Sequence, residues 1–150
     1  MQNTTRRLFP LIIGGFLFLA DRTLKMAALG VWQHDVLFSK WFGWHPFLNS
    51  GAAFGLPVPQ VVTASLTVPI ILLVVVFAWR VALEKPVQSF GLWMLFFGAL
   101  SNLLDRVTLN QTIDYVLILT GVFNVADAMI LVGFILYLRY YTSNNAHEHQ

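Results

Sequence analysis

Two long runs without a charged residue limit the possible folds of this chain more than any other feature. One extends from Pro57 to Trp79 and the other from Pro86 to Leu104. A helix needs about 20 mostly apolar residues to cross a bilayer, and both runs approach that length. Only 11% of the residues are charged, whereas a soluble domain typically has about 25%. The sequence therefore predicts a membrane protein with helical spans.

The first helix must include charged residues to reach the required length. Leu8–Ala20 is too short to span alone, so we expect the helix to continue through Asp21 and Lys25 to about Gly30. Asp21 and Lys25 share a helix face, where they either neutralise each other or act separately. In the second case Asp21 orients a loop or substrate while Lys25 reaches the interface. An Arg-Arg pair precedes the helix, but no Ala-x-Ala cleavage site follows, so we expect the helix to be retained.

A fourth helix has to contain Asp127 and end at Arg139. The basic residues that flank the spans fall on one side, which by the positive-inside rule places both termini in the cytoplasm. These residues are Arg6, Arg7, Arg80, Lys85 and Arg139. The expected fold is a single membrane all-α domain of four transmembrane helices over residues 1–142, followed by a polar, disordered tail at 143–150.

The outer segment 31–56 is rich in Trp and Phe. It forms either an ordinary aromatic belt at the membrane surface or a small β-rich region that lies on the membrane and helps to hold a substrate. Val36–Phe38 and Trp41–Phe42 flank Ser39-Lys40, a pattern that indicates a short hairpin.

This topology places nearly all the costly polar residues at the outer ends of the helices. They are Asp21, Asn49, Asn102, Asp105, Arg106, Asp114, Asn124 and Asp127. A carboxylate in a bilayer costs about 2.5–3.5 kcal/mol, so it usually has a function. Two neighbouring carboxylates share one proton, and such a pair can activate water and polarise a scissile carbonyl. Asp114 and Asp127 are the candidates for this pair, with Asp105 as a third.

Two further groups of polar residues each have a structural and a functional interpretation. Asn102, Asp105 and Arg106 share a helix face. There Asp105 and Arg106 form a capping pair, or Arg106 holds a substrate carbonyl or phosphate, and the two interpretations are compatible. Asn49 and Gly51 form an ordinary turn, or Asn49 makes hydrogen bonds beside the active site. The chain has no cysteine, which excludes a thiolate nucleophile.

Five motifs in order along residues 15–138 together resemble the lipoprotein signal peptidases, the bacterial signal peptidase II family. They are Asp21-Arg-Thr-Leu-Lys25, Asn49-Ser-Gly51-Ala-Ala-Phe-Gly55, Asn102-Leu-Leu-Asp105-Arg106, Ile113-Asp114-Tyr115 and Phe123-Asn124-Val-Ala-Asp127. Each motif alone is common, but their order in a four-span chain of this size is specific.

The resemblance implies an inner-membrane aspartyl endopeptidase with four helices and an outer β-cradle. Such enzymes remove signal peptides from diacylglyceryl-modified prolipoproteins, just before the lipidated cysteine, at the periplasmic face. Carried over, the catalytic pair is Asp114 and Asp127. The substrate-binding or supporting residues are Asp21, Lys25, Asn49, Gly51, Asn102, Asp105, Arg106 and Asn124. Lipid-modified precursors and membrane lipids are the expected partners of a monomer that needs no metal or cofactor and binds no nucleic acid.

Three departures from the family pattern leave other functions open. Phe97-Gly98 replaces a Gly-Gly pair, and Ser101 replaces a glycine, so added bulk is expected to narrow a lipid-binding groove. Only twelve residues separate Asp114 from Asp127, too few for the family's covering segment. The alternatives are a divergent protein of the same fold that binds lipidated peptides or a membrane partner, or one that cleaves another substrate. A small transporter would need a polar path across the bilayer, which the apolar second span does not offer.

Overall fold

The structure, a computed structural model, describes residues 2–51 and 58–148. Four long helices and one sheet form this described part. The helices are α1 (Gln2–Leu29), α2 (Gln60–Glu84), α3 (Phe90–Leu109) and α4 (Val125–Glu148), and a short 3₁₀ helix over Pro86–Ser89 precedes α3. The strands are β1 (Val36–Ser39), β2 (Phe42–Asn49), β3 (Thr112–Ile118) and β4 (Gly121–Phe123).

Three segments of the described chain are long and apolar enough to cross a membrane. They are Gln60–Glu84, Pro86–Leu109 and Val125–Thr142. Many Leu, Val, Ile and Phe side chains on these helices are exposed, and such a large apolar surface has to face lipid. The chain is therefore a multi-pass membrane protein, while a count of four spans and the cytoplasmic position of both termini remain predictions.

Helix α1 is continuous through its charged residues, as the length argument predicts. It passes through Asp21 and Lys25 and ends at Leu29. Both charged side chains are completely buried, so the helix carries them in its interior face and not toward lipid. At the other end of the chain, the backbone of α4 is helical through Glu148, beyond Ser143, where a disordered tail is expected from composition.

The predicted small β-rich region is a four-stranded antiparallel sheet in the order β1-β2-β3-β4. The predicted hairpin is confirmed by β1 and β2, where Val36 lies opposite Trp44. Strands β3 and β4 are not predicted. In β3, Thr112 lies opposite Asn49 and Asp114 lies opposite Phe47, so the sheet brings Asp114 close to the end of β2.

A two-residue turn, Leu119-Thr120, closes the hairpin between β3 and β4, in which Ile118 lies opposite Gly121. Leu119 has a left-handed backbone, with a φ of 58°, and its N–H donates to the carbonyl of Trp41 at 2.7 Å. The short segment between the two aspartates is therefore an ordered hairpin tied to the β1–β2 turn.

The sheet packs on the helices through its buried face. Ile113 and Tyr115 of β3 form a core cluster with Ala28 of α1, and the ring of Tyr115 lies 5.0 Å from that of Trp44. Since side chains alternate along a strand, Thr112 and Asp114 project from the opposite face.

The two bulky departures from the family pattern are accommodated by neighbouring residues. Phe97 packs toward α1, with its ring 5.9 Å from that of Phe18. A side chain at Gly14 would place its Cβ 2.6 Å from the Phe97 ring, so the glycine provides the space that the phenylalanine fills. Ser101 is buried and donates to Asp21 at 2.6 Å. The part of the Asn49 motif from Ala52 to Gly55 and the predicted start of the second span at Pro57 lie outside the described residues.

Candidate active site

Asp127 is held by local hydrogen bonds at the start of α4. Asn124 precedes the helix, and its Oδ1 accepts from the Asp127 N–H at 2.8 Å. In return, the Asn124 N–H donates to Asp127 Oδ2 at 3.2 Å. This reciprocal pattern is a capping box, which satisfies two backbone donors that a helix start would otherwise leave unpaired. The Asn-x-x-Asp spacing therefore determines where the Asp127 carboxylate lies.

Asp114 is almost completely buried, with 2% of its surface exposed. Its Oδ1 accepts from Asn124 Nδ2 at 2.6 Å, and its Oδ2 accepts from Asn49 Nδ2 at 2.9 Å. Burial raises the pKa of Asp114 to about 6, and the nearby Asp127 also raises it, whereas the Asn49 and Asn124 amides act in the opposite direction. Asn124 thus donates one hydrogen bond to each of the two carboxylates.

A second amide supports Asp127 from α3. Asn102 Nδ2 donates to Asp127 Oδ1 at 2.8 Å, and Asn102 Oδ1 accepts from Lys25 Nζ at 2.7 Å. An ammonium group can only donate, so Lys25 determines which end of the Asn102 amide faces Asp127.

Lys25 belongs to a buried cluster of charges beneath this amide. Its Nζ lies 3.1 Å from Asp21 Oδ2 and 2.7 Å from Asp105 Oδ2, and all three side chains are fully buried. Arg22 forms a further ion pair with Asp105. Of the two interpretations of the Asp21–Lys25 pair, the structure supports mutual neutralisation. Lys25 does not reach the interface, because two carboxylates and an amide oxygen stabilise its ammonium inside the protein. The interpretation of Asp105 and Arg106 as a capping pair is also wrong, because Asp105 pairs with Arg22 and Lys25 of α1.

Asp21 links three elements at the start of α4. It accepts from Tyr115 OH at 2.9 Å and from the Ala126 N–H at 3.1 Å, in addition to Ser101. The Tyr115 hydroxyl in turn accepts from the Val125 N–H at 3.0 Å. These contacts pair the first N–H groups of α4 with α1 and β3, so they connect the sheet to the helix that bears Asp127.

Arg106 is connected to the loop after β2 by a residue that the sequence analysis did not single out. Arg106 Nε donates to Gln60 Oε1 at 3.1 Å, and Gln60 Nε2 donates to the Gly51 carbonyl at 2.8 Å. The Gly51 N–H donates to Asn49 Oδ1 at 2.9 Å, which leaves the Asn49 NH₂ group for Asp114. A lone amide in an otherwise apolar run was the available signal for Gln60.

The structure therefore joins all ten candidate site residues named from the sequence, Gly51 through its backbone, in connected hydrogen-bond and ion-pair networks. They are Asp21, Lys25, Asn49, Gly51, Asn102, Asp105, Arg106, Asp114, Asn124 and Asp127. Chemically, the arrangement offers two neighbouring carboxylates oriented by three asparagine amides, with one arginine nearby.

Comparison with known proteins identifies a family. Over residues 13–142 the chain matches the family model described as signal peptidase (SPase) II. The lipoprotein signal peptidase of Aquifex aeolicus is 29% identical over 158 aligned positions, which cover 97% of this chain and 95% of that protein. The lipoprotein signal peptidase of Pelotomaculum thermopropionicum is 39% identical over 88 residues, 57% of this chain and 58% of that protein. This second match spans less than two thirds of the relative.

A solved structure of a bacterial membrane enzyme has the same fold. It superposes with a TM-score of 0.77 at 18% sequence identity, and the match covers 93% of this chain and 90% of the other. The helices and the small sheet described above are thus an arrangement known from experiment.

Proposed function

The chain belongs to the signal peptidase II family, and from this premise we propose that it removes signal peptides from diacylglyceryl-modified prolipoproteins by cutting before the lipidated cysteine. Asp114 and Asp127 are the proposed catalytic pair. The observation that carries this assignment is that Asn124 donates a hydrogen bond to each of the two carboxylates. The pair thus has a common support that orients both groups.

The proposed reaction uses the pair as a unit that holds one proton. Burial, with a smaller contribution from the nearby Asp127, raises the pKa of Asp114 to about 6, which favours a protonated carboxyl beside an ionised one. The ionised carboxylate takes a proton from water as the water attacks the scissile carbonyl carbon. The protonated carboxyl donates a hydrogen bond to the carbonyl oxygen and then transfers its proton to the departing amine.

Arg106 is the proposed binding residue for a carbonyl or phosphate oxygen of the lipid-modified substrate. Arg106 Nε donates to Gln60, and the two terminal nitrogens of Arg106 have no hydrogen-bond partner among the described residues. A guanidinium presents these donors in a fixed plane that suits oxygen acceptors. The surrounding ion cluster of Asp21, Lys25 and Asp105 supports the pair without contacting substrate.

We place the protein in the bacterial inner membrane, with this site at the periplasmic face and both termini in the cytoplasm. The basic residues at the helix ends away from the site favour that orientation. The β-sheet adjoins the site, where it is able to contact a substrate that enters from the bilayer.

The test is cleavage of a purified lipid-modified prolipoprotein by the purified enzyme. We expect cleavage before the lipidated cysteine by the wild type and none by Asp114→Asn or Asp127→Asn. Asp35→Asn is a matched control, because Asp35 is an exposed residue of the outer region that pairs with His45. Cleavage by either site variant at the wild-type rate would disprove the assignment of the pair.

Two further results would change the proposal. Activity is expected to survive EDTA, because the mechanism uses no metal ion, and loss of activity would overturn it. A well-folded wild type that binds the lipidated precursor without cutting it would instead support the binding function.

A further inference from the structure

Gln60 is an unusual residue for its position. It is the first residue of α2, the most apolar of the three candidate spans, yet its own side chain is polar and only 8% of the residue is exposed. Burying an amide costs free energy unless both of its ends form hydrogen bonds. Both ends of the Gln60 amide do form such bonds.

The two partners of Gln60 fix its orientation. Its Nε2 donates to the Gly51 carbonyl at 2.8 Å, and its Oε1 accepts from Arg106 Nε at 3.1 Å. A carbonyl can only accept and a guanidinium can only donate, so the amide cannot be turned over without losing both bonds. Gly51 therefore presents the Gln60 oxygen toward Arg106.

We propose that Gln60 is a positioning residue for substrate binding, which it serves by holding Arg106. This inference rests on the proposed function. A free arginine side chain has many rotamers, and ordering it during binding lowers affinity. The bond from Gln60 uses only Nε, so it restrains the guanidinium and leaves both terminal nitrogens available for a substrate oxygen.

The test compares steady-state kinetics of three variants on the lipid-modified precursor. Gln60→Met has a similar length but cannot accept from Arg106, and we expect KM to rise about tenfold, the equivalent of one hydrogen bond of about 1.4 kcal/mol, with little change in kcat. Gln60→Glu keeps an acceptor for Arg106 but loses the bond to the Gly51 carbonyl, so its KM should lie between those of the wild type and Gln60→Met. Gln88→Met is the matched control, because Gln88 is exposed in the 3₁₀ helix.

A double-mutant cycle separates positioning from a merely structural role. If Gln60 acts through Arg106, Gln60→Met should have no further effect on KM in an Arg106→Ala background. An equal loss in both backgrounds would overturn the inference. If Gln60→Met fails to fold, Gln60→Glu is measured in the same two backgrounds, and an equal rise in KM with and without Arg106 would contradict the proposal.

Asp127→Asn, assayed in parallel, distinguishes failure of this inference from failure of the proposed function. If the wild type cleaves, Asp127→Asn does not, and both Gln60 variants keep the wild-type KM, only the positioning role is wrong. If the wild type does not cleave the precursor, the proposed function and this inference are both wrong.

Discussion

Asn124 contacts the helix α4 and the proposed catalytic pair through different atoms, so its two contributions can be measured separately. Its Oδ1 caps α4 through the Asp127 N–H, and its Nδ2 donates to Asp114. Serine is also a good N-cap residue but cannot reach Asp114 with an amide. Asn124→Ser should therefore keep the cap and lose the contact with Asp114, while Asn124→Ala should lose both.

The expected magnitudes follow from these two contacts. Loss of an N-cap costs about 1 kcal/mol, so Asn124→Ala should be less stable than Asn124→Ser by about that amount. A hydrogen bond to a charged group contributes about 1.5–3 kcal/mol, and the bond to Asp114 is short, at 2.6 Å. If this bond orients the pair for reaction, both variants should lose about ten- to a hundredfold in kcat/KM.

The dependence of activity on pH gives a second readout. The Asn124 amide lowers the pKa of Asp114, which burial has raised to about 6. Without the amide, the pKa should rise further, so the pH at which Asp114 releases its proton should move upward in both variants. The profile of kcat/KM against pH measures this shift, and thermal unfolding in detergent measures stability.

Asn144→Ser is the matched control, because Asn144 lies near the other end of α4. Wild-type kcat/KM in Asn124→Ser would refute the role of Nδ2 in orienting Asp114. Equal losses of stability in the serine and alanine variants would refute the assignment of Asn124 as the helix cap.

Three other predictions concern buried groups around the site. Thr112 has a buried hydroxyl without a hydrogen-bond partner in the described structure, so Thr112→Val should stabilise the protein by about 1 kcal/mol, and a lower melting temperature would contradict this. Asp105→Asn leaves two cations with fewer partners and should cost about 3–5 kcal/mol of stability, with a milder loss of turnover than Asp114→Asn. The pKa of Asp114 is raised from 3.8 to about 6, so the folded state binds that proton more tightly than the unfolded state. Stability should therefore fall as the pH rises from about 4 to about 6, and Asp114→Asn should lack this fall.

The sequence predicts the parts of the fold that depend on local pattern. The charge-free runs identify the apolar parts of α2 and α3, and the length requirement extends α1 through Asp21. The hairpin between β1 and β2 follows from its two short apolar runs. The strand that bears Asp114 is not predicted, because β3 acquires its strand pairing from β2, more than sixty residues away.

The site is predictable as a set of residues but not as a set of contacts. Spacing of three or four along a helix shows that Asp105 and Arg106 share a face, but not that Asp105 pairs with Arg22. The burial of Lys25 likewise depends on how closely α1 approaches α3. Partners 80 or more positions apart in the chain, such as Asp21 and Ser101, are determined by helix packing, which no local pattern records.

Because of the β3–β4 hairpin, the relative position of the two aspartates does not depend on the number of residues between them. Asp114 lies near the start of β3, and Asn124 caps α4 just after β4, whereas Leu119 and Thr120 lie at the far end of the ladder. Residues added in pairs at that turn lengthen both strands equally and leave the register of Asp114 unchanged. Asp114 and Asp127 can thus keep one relative position when the segment between them changes in length, and the turn is a suitable place to insert a spectroscopic label or an affinity tag.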